Sequence, residues 1–155
     1  MTKLKTALYL DDIRTPIITL DGYEPFVVVR NYQEFVDYIQ ENDVPDFITF
    51  DHDLGLEHMK DFYKNQHNGI DVIEYETFKE KTGLDCVKWL CDYLFEKHEE
   101  TQKPIVFPIV RIHSANPVGC SNMYHYINNF AKVVDSPLDI DLKVTPFKME
   151  TQVEN

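Results

Sequence analysis

The sequence predicts an α/β fold in which about five strands form a doubly wound parallel sheet, with an insertion after the third strand. Short apolar runs of the buried-strand type alternate with segments whose apolar residues recur at helical spacing, and this alternation is typical of parallel sheets. Two of the apolar runs also end directly in aspartates. Because α/β sheets bind ligands at the carboxyl ends of their strands, the same pattern predicts a functional site there.

The first third of the chain supplies three predicted strands and one helix. The strands are expected over residues 6–10, 26–29 and 47–50. Prolines and an Asp-Gly pair punctuate residues 13–25, so this segment is predicted as loop. Asn31 is the expected N-cap of the helix, with Glu34 as its capping-box partner.

Residues 55–81 are too long for an ordinary connection and are predicted as the insertion. Their composition fits an extra helix or hairpin, a lid over the acidic residues, or a variable surface segment. Thr82 then begins a helix that runs to about Glu99, with Asp85 at the capping-box position.

The last third of the chain is expected to add two strands and one helix. The fourth strand covers residues 105–112 and is interrupted by Pro108. A helix starts at Asn116 and Pro117, since proline suits the first helical position. A turn over 137–141, a last strand over 142–147 and a frayed polar tail from residue 148 follow.

Length and composition indicate one domain over residues 1–150, with 151–155 as a polar tail. The three cysteines show no ligand spacing, which favours reduced thiols in a cytoplasmic protein. From the sequence we expect neither a signal peptide nor a membrane-spanning segment. A formal net charge of −12 makes duplex DNA an improbable partner, whereas a small phosphate ligand held through a metal stays possible.

Asp11, Asp12 and Asp51 are the candidate metal ligands. They follow two predicted strands, and each pair of like charges at about 4 Å costs roughly 4 kcal/mol at an effective dielectric of 20. A divalent cation, or protonation of one carboxyl group, would relieve this repulsion. Hard oxygen ligands favour Mg²⁺ or Mn²⁺. The alternative is that these aspartates only cap turns.

Residues 113–119 form a second candidate site, where a strand runs through a loop of small residues into a helix start. Such a place can bind phosphate through backbone N–H groups and the helix dipole. Ser114, Asn116 and Gly119 are the candidate phosphate-binding residues, and His113 is either an acid/base group or a core histidine.

Arg14 is the candidate cation of the site. It can hold a substrate phosphate, orient a carboxylate, or form a plain surface ion pair. Asp53 and His113 are the candidates for proton transfer, and Asp51 is a candidate catalytic residue as well as a metal ligand. His52 is the weaker histidine, because strand alternation points it away from its two aspartate neighbours unless the chain turns there.

The acidic pair after strand one, the aspartate after strand three and Ser114 after strand four resemble the receiver domain of two-component signalling. The resemblance implies that Asp11 and Asp12 bind Mg²⁺ and that Asp51 is a ligand or phosphoryl acceptor. A receiver has a helix after the acidic pair and Lys-Pro-Phe after strand five. This chain has a predicted loop at the first place and Thr145-Pro146-Phe147, with no lysine, at the second. These two differences argue against a function in an ordinary phosphorelay.

A divergent receiver-like family, described as cyclic-phosphate processing, is more similar. Its motifs correspond to residues 11–16, 50–55, 82–90 and 113–119 of this chain, in the same order. The resemblance implies a metal-dependent phosphoesterase acting on a cyclic phosphate, at an RNA end or in a cyclic nucleotide. A non-catalytic module that sequesters a cyclic nucleotide or binds a protein partner is one alternative. A haloacid-dehalogenase-like phosphatase is another, because Asp51 and Asp53 imitate its Asp-x-Asp motif. The oligomeric state is left open.

Overall fold

The computed structural model describes residues 3–54, 81–142 and 151–153. The strands are β1 (Ala7–Leu10), β2 (Arg14–Pro16), β3 (Val27–Val29), β4 (Phe47–Phe50), β5 (Ile109–Ile112), β6 (Ile140–Leu142) and β7 (Thr151–Val153). The helices are α1 (Tyr32–Asn42), α2 (Gly83–Thr101) and α3 (Pro117–Val133). Residues 55–80 of the predicted insertion at 55–81, and residues 143–147 of the predicted last strand, lie outside the described residues.

Five strands form one parallel sheet in the order β3-β1-β4-β5-β6. This confirms the predicted α/β fold with a five-stranded parallel sheet. The central strands β1 and β4 are almost completely buried, as expected for strands covered on both faces. Their carboxyl ends lie side by side, which places Asp11 next to Asp51.

The three described helices lie on one face of the sheet. The connections through α1, α2 and α3 all step in the same direction along the strand order. Because parallel crossovers are right-handed, they all pass over the same face. α2 packs between α1 and α3, and the three helices share one apolar core with the even-numbered side chains of the central strands, such as Leu10, Phe50 and Ile112.

The connection from β1 to β3 steps in the opposite direction and contains no helix, in agreement with the predicted loop. Aromatic side chains cover the face of the sheet opposite to the three helices. Phe26 packs edge-on against both Tyr9 and Phe47, and Tyr23 packs edge-on against Phe47. Arg111 adds a cation–π contact over the ring of Phe47.

The loop prediction for residues 13–25 is wrong at one point, and so is the prediction of a frayed tail. Arg14–Pro16 forms β2, which pairs antiparallel with Thr151–Val153 as β7. Neither segment has strand alternation of its own. Each becomes a strand because the other supplies the backbone hydrogen bonds, and a local sequence pattern carries no signal for a partner from the far end of the chain.

Other boundaries also differ from the predicted ones. The fourth parallel strand, β5, begins after Pro108, since proline has no N–H for the ladder. The last parallel strand begins at Ile140, inside the predicted turn. Asn31 caps α1 as predicted, but the carboxylate of Glu34 accepts from the N–H of Arg30 and not from that of Asn31. The capping box of Thr82 and Asp85 is confirmed.

Candidate functional site

Three carboxylates converge at the carboxyl ends of β1 and β4, as predicted. Asp11, Asp12 and Asp51 each have an oxygen atom that lies within 4.8 Å of the other two. The backbone N–H of Asp51 donates to the carbonyl of Leu10 at 2.9 Å, so the pairing of the two strands continues to the site itself. The rigid centre of the sheet therefore holds two of the three aspartates in place.

Asp11 is fully buried and accepts four hydrogen bonds. Its Oδ1 accepts from the backbone N–H groups of Ile13 at 2.9 Å and Arg14 at 2.8 Å. Its Oδ2 lies 3.0 Å from Nε2 of His113 and 3.3 Å from Nη1 of Arg14. Burial raises the pKa of Asp11, but the hydrogen bonds from His113, Arg14 and Ile13 outweigh it and lower the pKa below its usual value. Asp11 is therefore a carboxylate, not a carboxylic acid.

Asp51 is under the opposite influence. It is only 3% exposed, and burial, together with the neighbouring charge of Asp11, raises its pKa from 3.8 to about 7. A hydrogen bond with Ser114 and the charge of Arg14 oppose this rise without cancelling it. The nearest guanidinium nitrogen of Arg14 lies 3.9 Å from Oδ2 of Asp51. At Asp51, burial and the charge of Asp11 therefore outweigh the opposing effects of Ser114 and Arg14.

His113 lies behind Asp11, and both of its ring nitrogens are in use. Nε2 faces Asp11, and Nδ1 lies 2.6 Å from Oγ1 of Thr49. The ring of Tyr9 stacks on the imidazole with centroids 4.6 Å apart. Burial lowers the pKa of His113. A neutral ring that donates from Nε2 to the Asp11 carboxylate accepts from the Thr49 hydroxyl at Nδ1. In the structure, the candidate acid/base group His113 therefore hydrogen-bonds to the Asp11 carboxylate and holds it in place.

A second cluster lies beside the first and contains His52, Asp53, Asn116 and Gly119. Nδ1 of His52 is 2.8 Å from Oδ1 of Asp53, and Nδ2 of Asn116 donates to the same oxygen at 3.0 Å. Burial raises the pKa of Asp53, but its hydrogen bonds with His52 and Asn116 outweigh it, and the pKa is lowered. Asp51 and Asp53 therefore belong to different clusters, unlike the two aspartates of a shared Asp-x-Asp centre.

Two glycines allow the close approach of the helices to this region. A Cβ on Gly119, in the first turn of α3, would overlap the ring of His52. A Cβ on Gly83, at the start of α2, would overlap the carbonyl oxygen of Asp51. The N–H of Gly83 also donates to the carbonyl of His52 at 2.7 Å. Both helix starts thus press against the two residues that follow β4.

The predicted phosphate loop uses two of its backbone N–H groups internally. The N–H of Asn116 donates to Oγ of Ser114 at 3.1 Å, and the N–H of Gly119 donates to Oδ1 of Asn116 at 2.9 Å. The Ser114 hydroxyl thereby connects this loop with Asp51. The structure brings Ser114, Asn116 and Gly119 to the site, with the side chains of Ser114 and Asn116 already committed to neighbours.

Three contributors to the site were given little or no weight from the sequence. His52 turns into the second cluster because the chain bends directly after β4, where strand alternation ends. Thr49 orients His113 from inside β4, where a threonine carries no special signal. Arg30 donates from Nη1 to the carbonyls of Asp11 at 3.0 Å and Arg14 at 2.5 Å, and from Nη2 to the hydroxyl of Thr15 at 2.6 Å. Its place at the end of β3 was the one available clue.

The three aspartates fit a hard divalent cation. Carboxylate oxygens are the ligands that Mg²⁺ and Mn²⁺ prefer, and the oxygens lie close enough to share one ion. The raised pKa of Asp51 points the same way, because its cause is uncompensated burial and negative charge.

Comparison with known proteins gives one result. The model of the family described as the cyclic-phosphate processing receiver domain matches residues 6–129, which include all the residues of the two side-chain clusters described above. No curated protein and no solved structure matches the chain significantly. Among the described residues, no helix has the length and apolar character needed to cross a membrane.

Proposed function

The chain belongs to the cyclic-phosphate processing receiver family, and on this premise we propose that it is a metal-dependent phosphoesterase that opens a cyclic phosphate. The substrate is a 2′,3′-cyclic phosphate at an RNA end or a cyclic nucleotide. The observation that carries the proposal is the cluster of Asp11, Asp12 and Asp51 next to a hydroxyl and an arginine, at the carboxyl edge of a parallel sheet.

Asp11, Asp12 and Asp51 would hold Mg²⁺ or Mn²⁺. When bound, the ion would supply Lewis-acid stabilisation of the charge that develops on the phosphoryl oxygens. Arg14 and Ser114 flank the carboxylates and would bind the phosphoryl group by charge and by hydrogen bonding. This local positive charge matters, because a protein with a net charge of −12 repels an anionic substrate elsewhere.

Ring opening by water forms one bond from the water oxygen to phosphorus and breaks one ester bond from phosphorus to a sugar oxygen. A proton leaves the water, and a proton is added to the released sugar oxygen. We assign this transfer to His52 and Asp53 acting together. Asp53 orients the ring at Nδ1, and no described residue hydrogen-bonds to Nε2. His113 is less suited, because both of its nitrogens are paired.

The test is incubation of the purified chain with Mg²⁺ or Mn²⁺ and a panel of cyclic phosphates. The panel contains 2′,3′-cyclic nucleotides, an RNA oligomer with a 2′,3′-cyclic end and cyclic dinucleotides. We expect ring opening of at least one class, and a large loss of turnover in Asp51→Asn. Absence of both turnover and binding across the panel contradicts the proposal. Recovery of a tightly bound, intact ligand after long incubation identifies a binding module in place of an enzyme.

A further inference from the structure

We infer that Arg14 is the internal counter-ion of the acidic cluster and competes with a divalent cation for Asp11, so that metal binding releases the guanidinium towards the phosphate. This inference rests on the proposed function, because it deepens the account of the same site. The side chain of Arg14 would then have two roles in turn: it orients a carboxylate before the metal binds, and it holds a phosphate afterwards.

The first step of the argument is the saturation of Asp11. A carboxylate has about four acceptor positions on its two oxygens, and Asp11 already accepts four hydrogen bonds. A cation that binds Asp11 directly must therefore displace one of these donors.

The second step identifies the donor that can leave. The two donors to Oδ1 are backbone N–H groups of the turn after β1, so they are fixed. His113 is fully packed, held at Nδ1 by Thr49 and covered on its face by Tyr9. The side chain of Arg14 is 22% exposed, and its 3.3 Å contact is the longest of the four. Arg14 is therefore the displaceable donor.

The third step is electrostatic. The Arg14 guanidinium is 3.3 Å from Asp11 and 3.9 Å from Asp51, so it lies against two of the three carboxylates that would hold the ion. A guanidinium and a divalent cation repel each other strongly at such separations, because the site is shielded from water. Occupation of the cluster by one cation disfavours the other.

The fourth step concerns where the side chain goes. The backbone of Arg14 is fixed in three ways: its N–H donates to Asp11, its carbonyl accepts from Arg30, and β2 pairs with β7. Only the side chain can move, and it stays at the mouth of the site. The released guanidinium is then available to phosphate, so metal and phosphate binding support each other through it. Such coupling is reciprocal.

The experiment measures binding of Mn²⁺ to the full chain, from the paramagnetic resonance signal of the free ion. The proteins are wild type, Arg14→Gln, Arg14→Lys and Lys132→Gln. Lys132 lies in the last turn of α3, far from the site, so its variant changes the net charge equally without touching Asp11. We expect Arg14→Gln to bind Mn²⁺ roughly tenfold tighter than wild type, a factor that corresponds to about 1.4 kcal/mol. Lys132→Gln should match wild type.

Arg14→Lys distinguishes the effect of losing the positive charge from an effect of the substitution on folding. It keeps a cation in place and should bind Mn²⁺ as weakly as wild type. A second measurement titrates inorganic phosphate calorimetrically in saturating Mg²⁺, where Arg14→Gln should bind more weakly than wild type. Unchanged or weaker Mn²⁺ binding by Arg14→Gln overturns the competition, and so does equally tight binding by both Arg14 variants. Absence of Mn²⁺ binding in all four proteins instead overturns the proposed metal dependence.

Discussion

Asp51 links the electrostatics of the site to the stability of the whole protein. Its pKa is raised from 3.8 to about 7 in the folded state. The stabilisation that protonated Asp51 provides is therefore fully present below about pH 4, and it is lost as the pH rises through about 7. One pKa step is worth about 1.4 kcal/mol, so the loss reaches a few kcal/mol in the metal-free protein.

We accordingly predict that Asp51→Asn stabilises the metal-free protein at neutral and higher pH. In chelator, the free energy of unfolding of the variant should exceed that of wild type by a few kcal/mol at about pH 8, and the difference should vanish towards about pH 4. Denaturant titrations at several pH values measure it. Asp139→Asn, whose carboxylate is largely exposed, is the control and should differ little from wild type at any pH. Parallel curves for Asp51→Asn and wild type would contradict the assignment.

Gly119 tests the second cluster. Glycine to alanine within a helix ordinarily stabilises by about 0.5–1 kcal/mol, but here the new methyl group overlaps the ring of His52. We predict that Gly119→Ala lowers cyclic-phosphate turnover by roughly a hundredfold, the low end of what a lost acid/base group costs, while the fold is retained. Steady-state kinetics and circular dichroism measure the two effects.

Ser121→Ala, two residues on in the same helix turn, is the matched control for Gly119→Ala and should keep its activity. A fully active Gly119→Ala protein would show that the position of the His52 ring does not matter for turnover.

The sequence was a good guide to the aspartates and a poor one to the histidines, for one physical reason. Asp11 and Asp51 lie at strand ends, and strand ends of a parallel sheet must meet at one edge. The orientation of His52 and His113 depends instead on a bend after β4 and on a hydrogen bond from Thr49. Those are tertiary contacts that no local pattern records.

At the level of elements, the caps were predictable and the pairing of β2 with β7 was not. Thr82 and Asp85 form a capping box because both partners lie within four residues of each other. β2 exists because residues from the other end of the chain lie beside it. This pairing holds the backbone of Arg14 at the edge of the acidic cluster.

Removal of residues 151–155 should therefore loosen the site without unfolding the sheet. We predict faster amide hydrogen exchange at Thr15 in the truncated chain, because β2 loses its partner strand. Exchange in β1 and β4 should stay slow, since these strands pair with each other and with their other neighbours. Mass spectrometry of peptic fragments measures both. Unchanged exchange in the fragment that contains Thr15 would mean that β7 does not protect β2.

At the level of the whole molecule, the direction of each crossover explains why the three described helices lie on one face of the sheet. Alternation of strands and helices was enough to predict the parallel sheet. The face taken by each helix follows only when the strand order is known, because a right-handed connection changes face when it changes direction. The strand order is a long-range property, so it could be expected from the resemblance but not from periodicity.

The melting temperature of the whole molecule should also show whether a divalent cation binds at a specific site or only screens the net charge. We predict that millimolar Mg²⁺ raises the melting temperature by about 5–10 °C, the effect of a site filled well beyond its dissociation constant. Sodium chloride at equal ionic strength should give a much smaller rise, because it only screens the net charge of −12. Differential scanning calorimetry measures both. Equal rises in the two salts, or a full Mg²⁺ effect in Asp51→Asn, would argue against the three-aspartate site.

The contact of Gly83 with His52 has a consequence for how this chain tolerates change in length. Along the chain these two residues lie on opposite sides of the segment 55–80, yet in space one hydrogen bond joins them. The place where the chain departs and the place where it returns are therefore neighbours. The free energy of closing a loop between adjacent ends grows only with the logarithm of its length. This junction is thus a natural graft point, where a segment of very different size can be exchanged while the sheet and its acidic edge keep their geometry.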